Sequence, residues 1–315
     1  MEQLPGPAGP SGAAPPGAAP VAGTAKAVGL VAGGMAGQQV GSAVATLLFP
    51  QVGPTGVAAL RLSVSAVLLL VLFRPRLRGH GRSDWAVVAG FGTALGAMNL
   101  LFYEAIARIP LGPAVTIEVL GPLAVAVFGS RGAVRWLWAG LALAGVALLG
   151  GGGYGELTAA GTAFALGAAA MWAAYILLSA RAGARFPRVD GLAMAMTVGA
   201  VLSLPLGIAT AGADLLRPAV LGWGAVVALL SSALPYSLEL LALRRLPAAT
   251  FAVLMSLAPA VAALAGWLLL GQMLGPGGWA AVALVVAASA GAVWTSGRQP
   301  QRGHRGGGQG GDALD

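Results

Sequence analysis

The residues of this chain best suited to chemistry are few, and most lie inside long apolar stretches. Glu118 and Arg61 form a charged set in the first half, and Asn99, Gln38 and Gln39 supply amides at a similar depth. A carboxylate in such surroundings can hold a substrate ammonium or a coupling proton. A guanidinium can grip a carboxylate through two parallel hydrogen bonds. The same two groups can also simply pair, each lowering the other's cost of leaving water. Both readings stay open from the sequence, and a substrate that exchanges with the pair satisfies both. In the second half Glu239 follows Pro235 and Tyr236 and lies close to Arg244 and Arg245. That placement fits an inner gate or a carboxylate reaching toward interfacial cations. Pro122, Pro235 and Pro259 each remove a backbone N–H within an apolar stretch. Each thereby frees a carbonyl and permits a hinge or a cavity-lining bend.

Other chemistries lack their residues. There is no cysteine, hence no disulfide, thiol nucleophile or thiolate metal site. The two histidines, His80 and His304, fall in Arg/Gly-rich polar stretches, so no metal and no cofactor is expected. No zinc-protease helix motif, nucleophile elbow or phosphate-binding loop is present. An enzyme is therefore not expected, and neither is work driven by the chain's own ATP hydrolysis.

The elements that must position these residues follow from composition. Hydrophobic residues make up 57% of the 315 and charged residues only 9%, against roughly 25% charged in soluble domains. Lipid must be the solvent, and an all-α integral membrane protein is expected. Ten apolar segments can be drawn: 27–48, 53–73, 84–107, 111–129, 133–151, 157–180, 190–212, 219–243, 247–271 and 275–296. Each is about 19–25 residues, enough to cross a core of about 30 Å. Glu118 enters its span by about seven residues, roughly 10 Å deep, and Arg61 reaches a similar depth. With the N-terminus inside, fifteen of the 18 basic residues fall in cytoplasmic loops or tails, and only Arg108 and Arg217 fall outside. That split follows the positive-inside rule. It accounts for the net charge of +8 without a nucleic-acid partner. The Pro/Gly/Ala-rich segment 1–26 and the Gly/Arg-rich segment 297–315 read as disordered cytoplasmic tails.

The chain also copies itself faintly. Arg108-Ile109-Pro110 is followed after eleven residues by Pro122, and Arg245-Leu246-Pro247 after eleven by Pro259, an offset of 137. Five spans per half force the second copy upside down relative to the first, with the halves at 27–151 and 157–296. Rocking of one half against the other would then alternate access to a central cavity. Gly33 and Gly37, flanked by Gly29 and Gly41, line one face of the first helix and read as a close-packing surface. Glu104 and Arg108 stand one turn apart and predict an interfacial ion pair. Trp136, Trp138, Trp223, Trp279 and Trp294 read as an interfacial belt.

The strings ARIPLGPAVTIEVLGPLAVAV at 107–127 and SSALPYSLELLALRRLPAATFAVLMSLAPAVAALAG at 231–266 resemble the threonine/homoserine exporter group of EamA-domain proteins, within the drug/metabolite transporter superfamily. The resemblance spans about 27–296. It implies ten helices as two inverted five-helix EamA repeats, an inner-membrane location and efflux of small amphiphilic metabolites such as amino acids; with no ATP-hydrolysis site, a proton gradient or substrate exchange would drive it. Two positions depart from the group. Ala258 stands where a glutamate commonly precedes the second-repeat proline, and Gln272 stands where a Gly-Glu pair often ends the fourth helix of a repeat. Any coupling role would then fall to Glu118 or Glu239, or be absent. The expected partners are a small-molecule substrate and the bilayer. An importer, an exporter of another amphiphile or drug, a lipid-acting membrane enzyme and a non-transporting scaffold are the competing readings. The enzyme would need an interfacial His/Asp/Ser cluster, which the sequence lacks.

Overall fold

A computed structural model describes residues 21–76, 78–130, 132–150, 157–187, 190–243, 245–246 and 248–297. Most of the two expected tails, and the junction at 152–156 between the expected halves, lie outside the described residues. The described residues are helical, with no strand among them. In chain order the helices are α1 (Val21–Phe73), α2 (Arg82–Ile106), α3 (Leu111–Glu118), α4 (Leu120–Gly129), α5 (Val134–Gly150) and α6 (Ala159–Arg185), then α7 (Asp190–Ala211), α8 (Pro218–Ala228), α9 (Leu234–Leu243), α10 (Ala248–Met255), α11 (Ala258–Leu270) and α12 (Pro276–Gly297). Seven helical stretches among the described residues are long and apolar enough to cross a membrane, and Val134–Leu149 and Pro218–Ser232 are shorter apolar helices.

Several expected spans are not plain rods. α1 bends at Gly53, whose φ of 67° is left-handed and suits glycine alone, between Pro50 and Pro54. Its segments are 21–52 and 54–73. The stretch 111–129 breaks at Val119 into α3 and α4, three residues before Pro122. The stretch 247–271 breaks likewise between α10 and α11, just before Pro259. α8 passes into α9 through a π turn, Leu229–Ala233. Proline has no N–H to donate one turn back, which accounts for each break.

The two expected halves interleave. The second segment of α1 packs on α7, α2 lies against α6 and α7, and α5 lies against α12. The first segment of α1 lies along the π turn and α9, and Gly224 of α8 faces Leu60 of the second segment. Small residues make this possible: a Cβ on Gly92 would overlap the Ala195 carbonyl, and one on Gly121 the Ala169 carbonyl. In lipid such close backbone approach is a main source of helix affinity.

Candidate functional site

Arg61 is the centre of the best-defined polar cluster. It sits on the second segment of α1 in an otherwise apolar run, and only 8% of it is exposed. Its Nη1 donates to the Tyr103 hydroxyl of α2 at 3.2 Å, and its Nη2 donates to the Ser231 carbonyl of the π turn at 3.1 Å. The guanidinium carbon lies 5.7 Å from the Tyr103 ring centroid. Tyr103 is fully buried and is held edge-on by Phe49 at 5.9 Å. The arginine thus joins one helix of each half. Ser231 stands four residues before Pro235, which has no N–H to offer, and the chain passes this point in the π turn.

Glu118 ends α3, a helix buried along its whole length against α11 and α6. Arg61 is its electrostatic partner. Among the described residues no hydrogen bond reaches the Glu118 carboxylate. Its own carbonyl also lacks an in-helix donor, because Pro122 stands four residues on.

The remaining expected residues lie on several helices. Asn99 is buried on α2 and donates its amide to the Leu95 carbonyl at 2.9 Å. Gln39 is buried, and its Oε1 has no partner among the described residues. Gln38 is half-buried. Glu239 is half-buried on α9 and faces Gly34, where a Cβ would meet its Cγ at 3.5 Å. No ion pair of Glu239 is found among the described residues, and the side chain of Tyr236 lies outside them. Pro235 and Pro259 are buried, and Pro122 is half-buried. Gly33 and Gly37 pack on Leu238 and Leu230 as a close-contact face.

Other expectations settle differently. Glu104 and Arg108 form the ion pair, and Arg108 also stacks 4.8 Å over Phe164. Trp136, Trp223, Trp279 and Trp294 are exposed. Trp138 is half-buried: its ring lies on Gly291 and its indole N–H donates to Thr295 at 3.2 Å. Gln272 is not merely a missing carboxylate. Its Oε1 accepts from the Leu111 N–H at 2.9 Å and so caps α3 from the far half. Nothing local in the sequence marks Tyr103, Ser231 or the Gln272 cap as partners of distant helices. A cavity of about 210 Å³ lined by Phe91, Tyr175, Ser179, Phe186 and Leu192 includes none of the expected site residues.

Known proteins align with this arrangement. Residues 159–294 match the EamA-like transporter family. The chain is 42% identical over 269 residues to the threonine/homoserine exporter RhtA of Salmonella typhimurium (strain SL1344), covering 85% of this chain and 91% of that one. It is 42% identical over 263 residues to RhtA of Escherichia coli (strain K12), covering 83% and 89%. A protein of known crystal structure, 22% identical, matches at a TM-score of 0.54 over 90% of this chain and 99% of its own, which shows a shared fold. The chain belongs to the EamA-like transporter family.

Proposed function

We propose that this chain exports small amino acids, threonine and homoserine foremost, across a bacterial inner membrane by proton antiport with alternating access. One observation carries the reading: Glu118, buried at a broken helix, has an opposite charge in range but no hydrogen-bond donor among the described residues. A buried carboxylate so placed is costly unless something visits it. An α-amino acid brings an ammonium for Glu118 and a carboxylate for Arg61. When the substrate leaves, a proton neutralises Glu118 for the return.

The membrane arrangement belongs to the same proposal. Dividing α1 at Gly53 and joining α3 to α4, α8 to α9 and α10 to α11 supports ten spans as two inverted five-helix repeats. The breaks before Pro122 and Pro259, 137 residues apart, support the internal symmetry. The distribution of arginines supports cytoplasmic termini. Asn99, Gln38 and Gln39 line the chamber, and Tyr236 and Glu239 stand toward its inner mouth. Access changes by bending at Gly53, Val119 and the α10–α11 junction, since the halves interleave.

The test is expression in a bacterium that lacks its own threonine exporters and is challenged with growth-limiting L-threonine or L-homoserine. Expression raises tolerance, and the amino acid accumulates in the medium. Tolerance equal to that of the empty vector, with the protein present in the membrane, would overturn the proposal.

A further inference from the structure

A second feature stands apart from the Arg61 cluster, where α2, α6 and α7 meet. It is the cavity of about 210 Å³. Three aromatic rings line it: Phe91 of α2, Tyr175 of α6, and Phe186, which follows α6. The Phe91 and Tyr175 rings pack with centroids 5.2 Å apart and a 45° tilt. Phe186 is buried and is backed by the His80 ring at 4.7 Å. These contacts hold the rings in place, so the cavity is preformed. Ser179 adds a polar group in a defined state. Its hydroxyl donates to the Ile176 carbonyl at 2.9 Å, which leaves its oxygen lone pairs to accept. Gly183 is the one exposed residue among those that line the cavity, which places the mouth there.

Size and lining together select an occupant. An apolar cavity of about 150 Å³ holds benzene, so this one holds a ring with a small substituent. Aromatic pairs gain from edge-on or offset contact at centroid separations of about 4.5–7 Å, and the ring-lined walls offer that contact. A donor on the ring meets Ser179. We propose that this cavity is a binding site for a small aromatic molecule carrying one N–H or O–H group, with indole and phenol as the simplest members. An acyl chain of the bilayer uses neither feature, since it has no ring face and no donor. α2 belongs to one expected half and α6 and α7 to the other, so the occupant bridges them. It does so beside Arg185, whose Nη1 already donates across to the Ser83 carbonyl of α2 at 3.0 Å.

The experiment is thermal denaturation of the full chain in detergent, read as loss of monodisperse protein, with indole, indene or 1-octanol added at equal concentration. Indole near saturation raises the melting temperature by roughly 2–4 °C. Indene, which lacks the N–H, raises it less, and 1-octanol does not raise it. Ser179→Ala removes the acceptor and brings the indole response down to that of indene. Gly183→Leu abolishes the response, because the added side chain occupies the mouth. A Cβ at 183 meets nothing within 4 Å, and leucine favours a helix over glycine, so this variant keeps its fold. A 1-octanol shift equal to the indole shift identifies a groove for lipid tails and overturns the aromatic class. An indole shift that survives unchanged in Ser179→Ala and Gly183→Leu overturns the site, and no indole shift in the parent overturns the proposal outright. These melts need no transported substrate, so they decide the site independently of the exporter reading.

Discussion

The glycine face of α1 yields a graded prediction. Gly29, Gly33, Gly37 and Gly41 share one side of the helix, but their surroundings tighten along it. A Cβ on Gly29 meets nothing within 4 Å. One on Gly33 meets Leu238 Cδ1 at 3.5 Å, and one on Gly37 meets the Leu230 carbonyl at 3.3 Å. One on Gly41 overlaps the Ser231 hydroxyl and stands 3.1 Å from both Leu230 Cβ and Ser231 N. Gly29→Ala meets no contact and gains helix propensity, so it stabilises by up to about 1 kcal/mol. Gly33→Ala makes an ordinary contact and is near neutral. Gly41→Ala overpacks a site with backbone on one side, at about 1–3 kcal/mol. In a chain of this size that lowers the melting temperature by roughly 2–10 °C. The assay is thermal denaturation of purified variants in detergent, followed by intrinsic tryptophan fluorescence or loss of monodisperse protein. Equal shifts for Gly29→Ala and Gly41→Ala would refute the reasoning, because they would show that contact with the π turn does not decide the cost.

Three more outcomes follow from other contacts. Gln272→Ala removes the cap on α3 and costs about 1 kcal/mol, whereas Gln272→Glu keeps an acceptor beside a helix N-terminus and preserves the melting temperature; thermal denaturation separates the two. Gly121→Ala drives a methyl into the Ala169 carbonyl and destabilises more than Gly140→Ala, whose surroundings are open; the same melts rank them. The natural absence of cysteine allows single-cysteine mapping: Arg78→Cys and Arg181→Cys react with an impermeant thiol reagent only from the cytoplasmic side, and Arg217→Cys only from the other. Labelling of all three from one face would refute the assigned orientation.

Much of this architecture was legible in the residue order. The apolar stretches are long and their punctuation by Pro, Gly and Arg is dense, so the approximate limits of the helices could be read directly. Glu118 and Arg61 could be singled out because charge is rare in such stretches. Their actual contacts could not be read the same way. Arg61 bonds Tyr103 and Ser231, which are 42 and 170 residues away in sequence, and nothing local marks a hydroxyl or a carbonyl as the partner. The loss of an N–H at Pro235 is visible in the sequence, but the π turn that accompanies it is not. Gln272 shows the same limit. Next to the resemblance it was a missing carboxylate, while in the fold its amide oxygen serves the N-terminus of α3. Trp138 lies near a span end in the sequence, and only the fold shows that Gly291 on α12 makes room for its ring.

The central claim is that Glu118 carries substrate and proton in turn. Reconstituted parent protein and Glu118→Gln are compared in proteoliposomes loaded with labelled L-threonine, with and without an imposed pH gradient. The account predicts gradient-driven efflux in the parent and its loss in Glu118→Gln, with both proteins equally folded and inserted. Gradient-driven efflux of equal rate from both would contradict it.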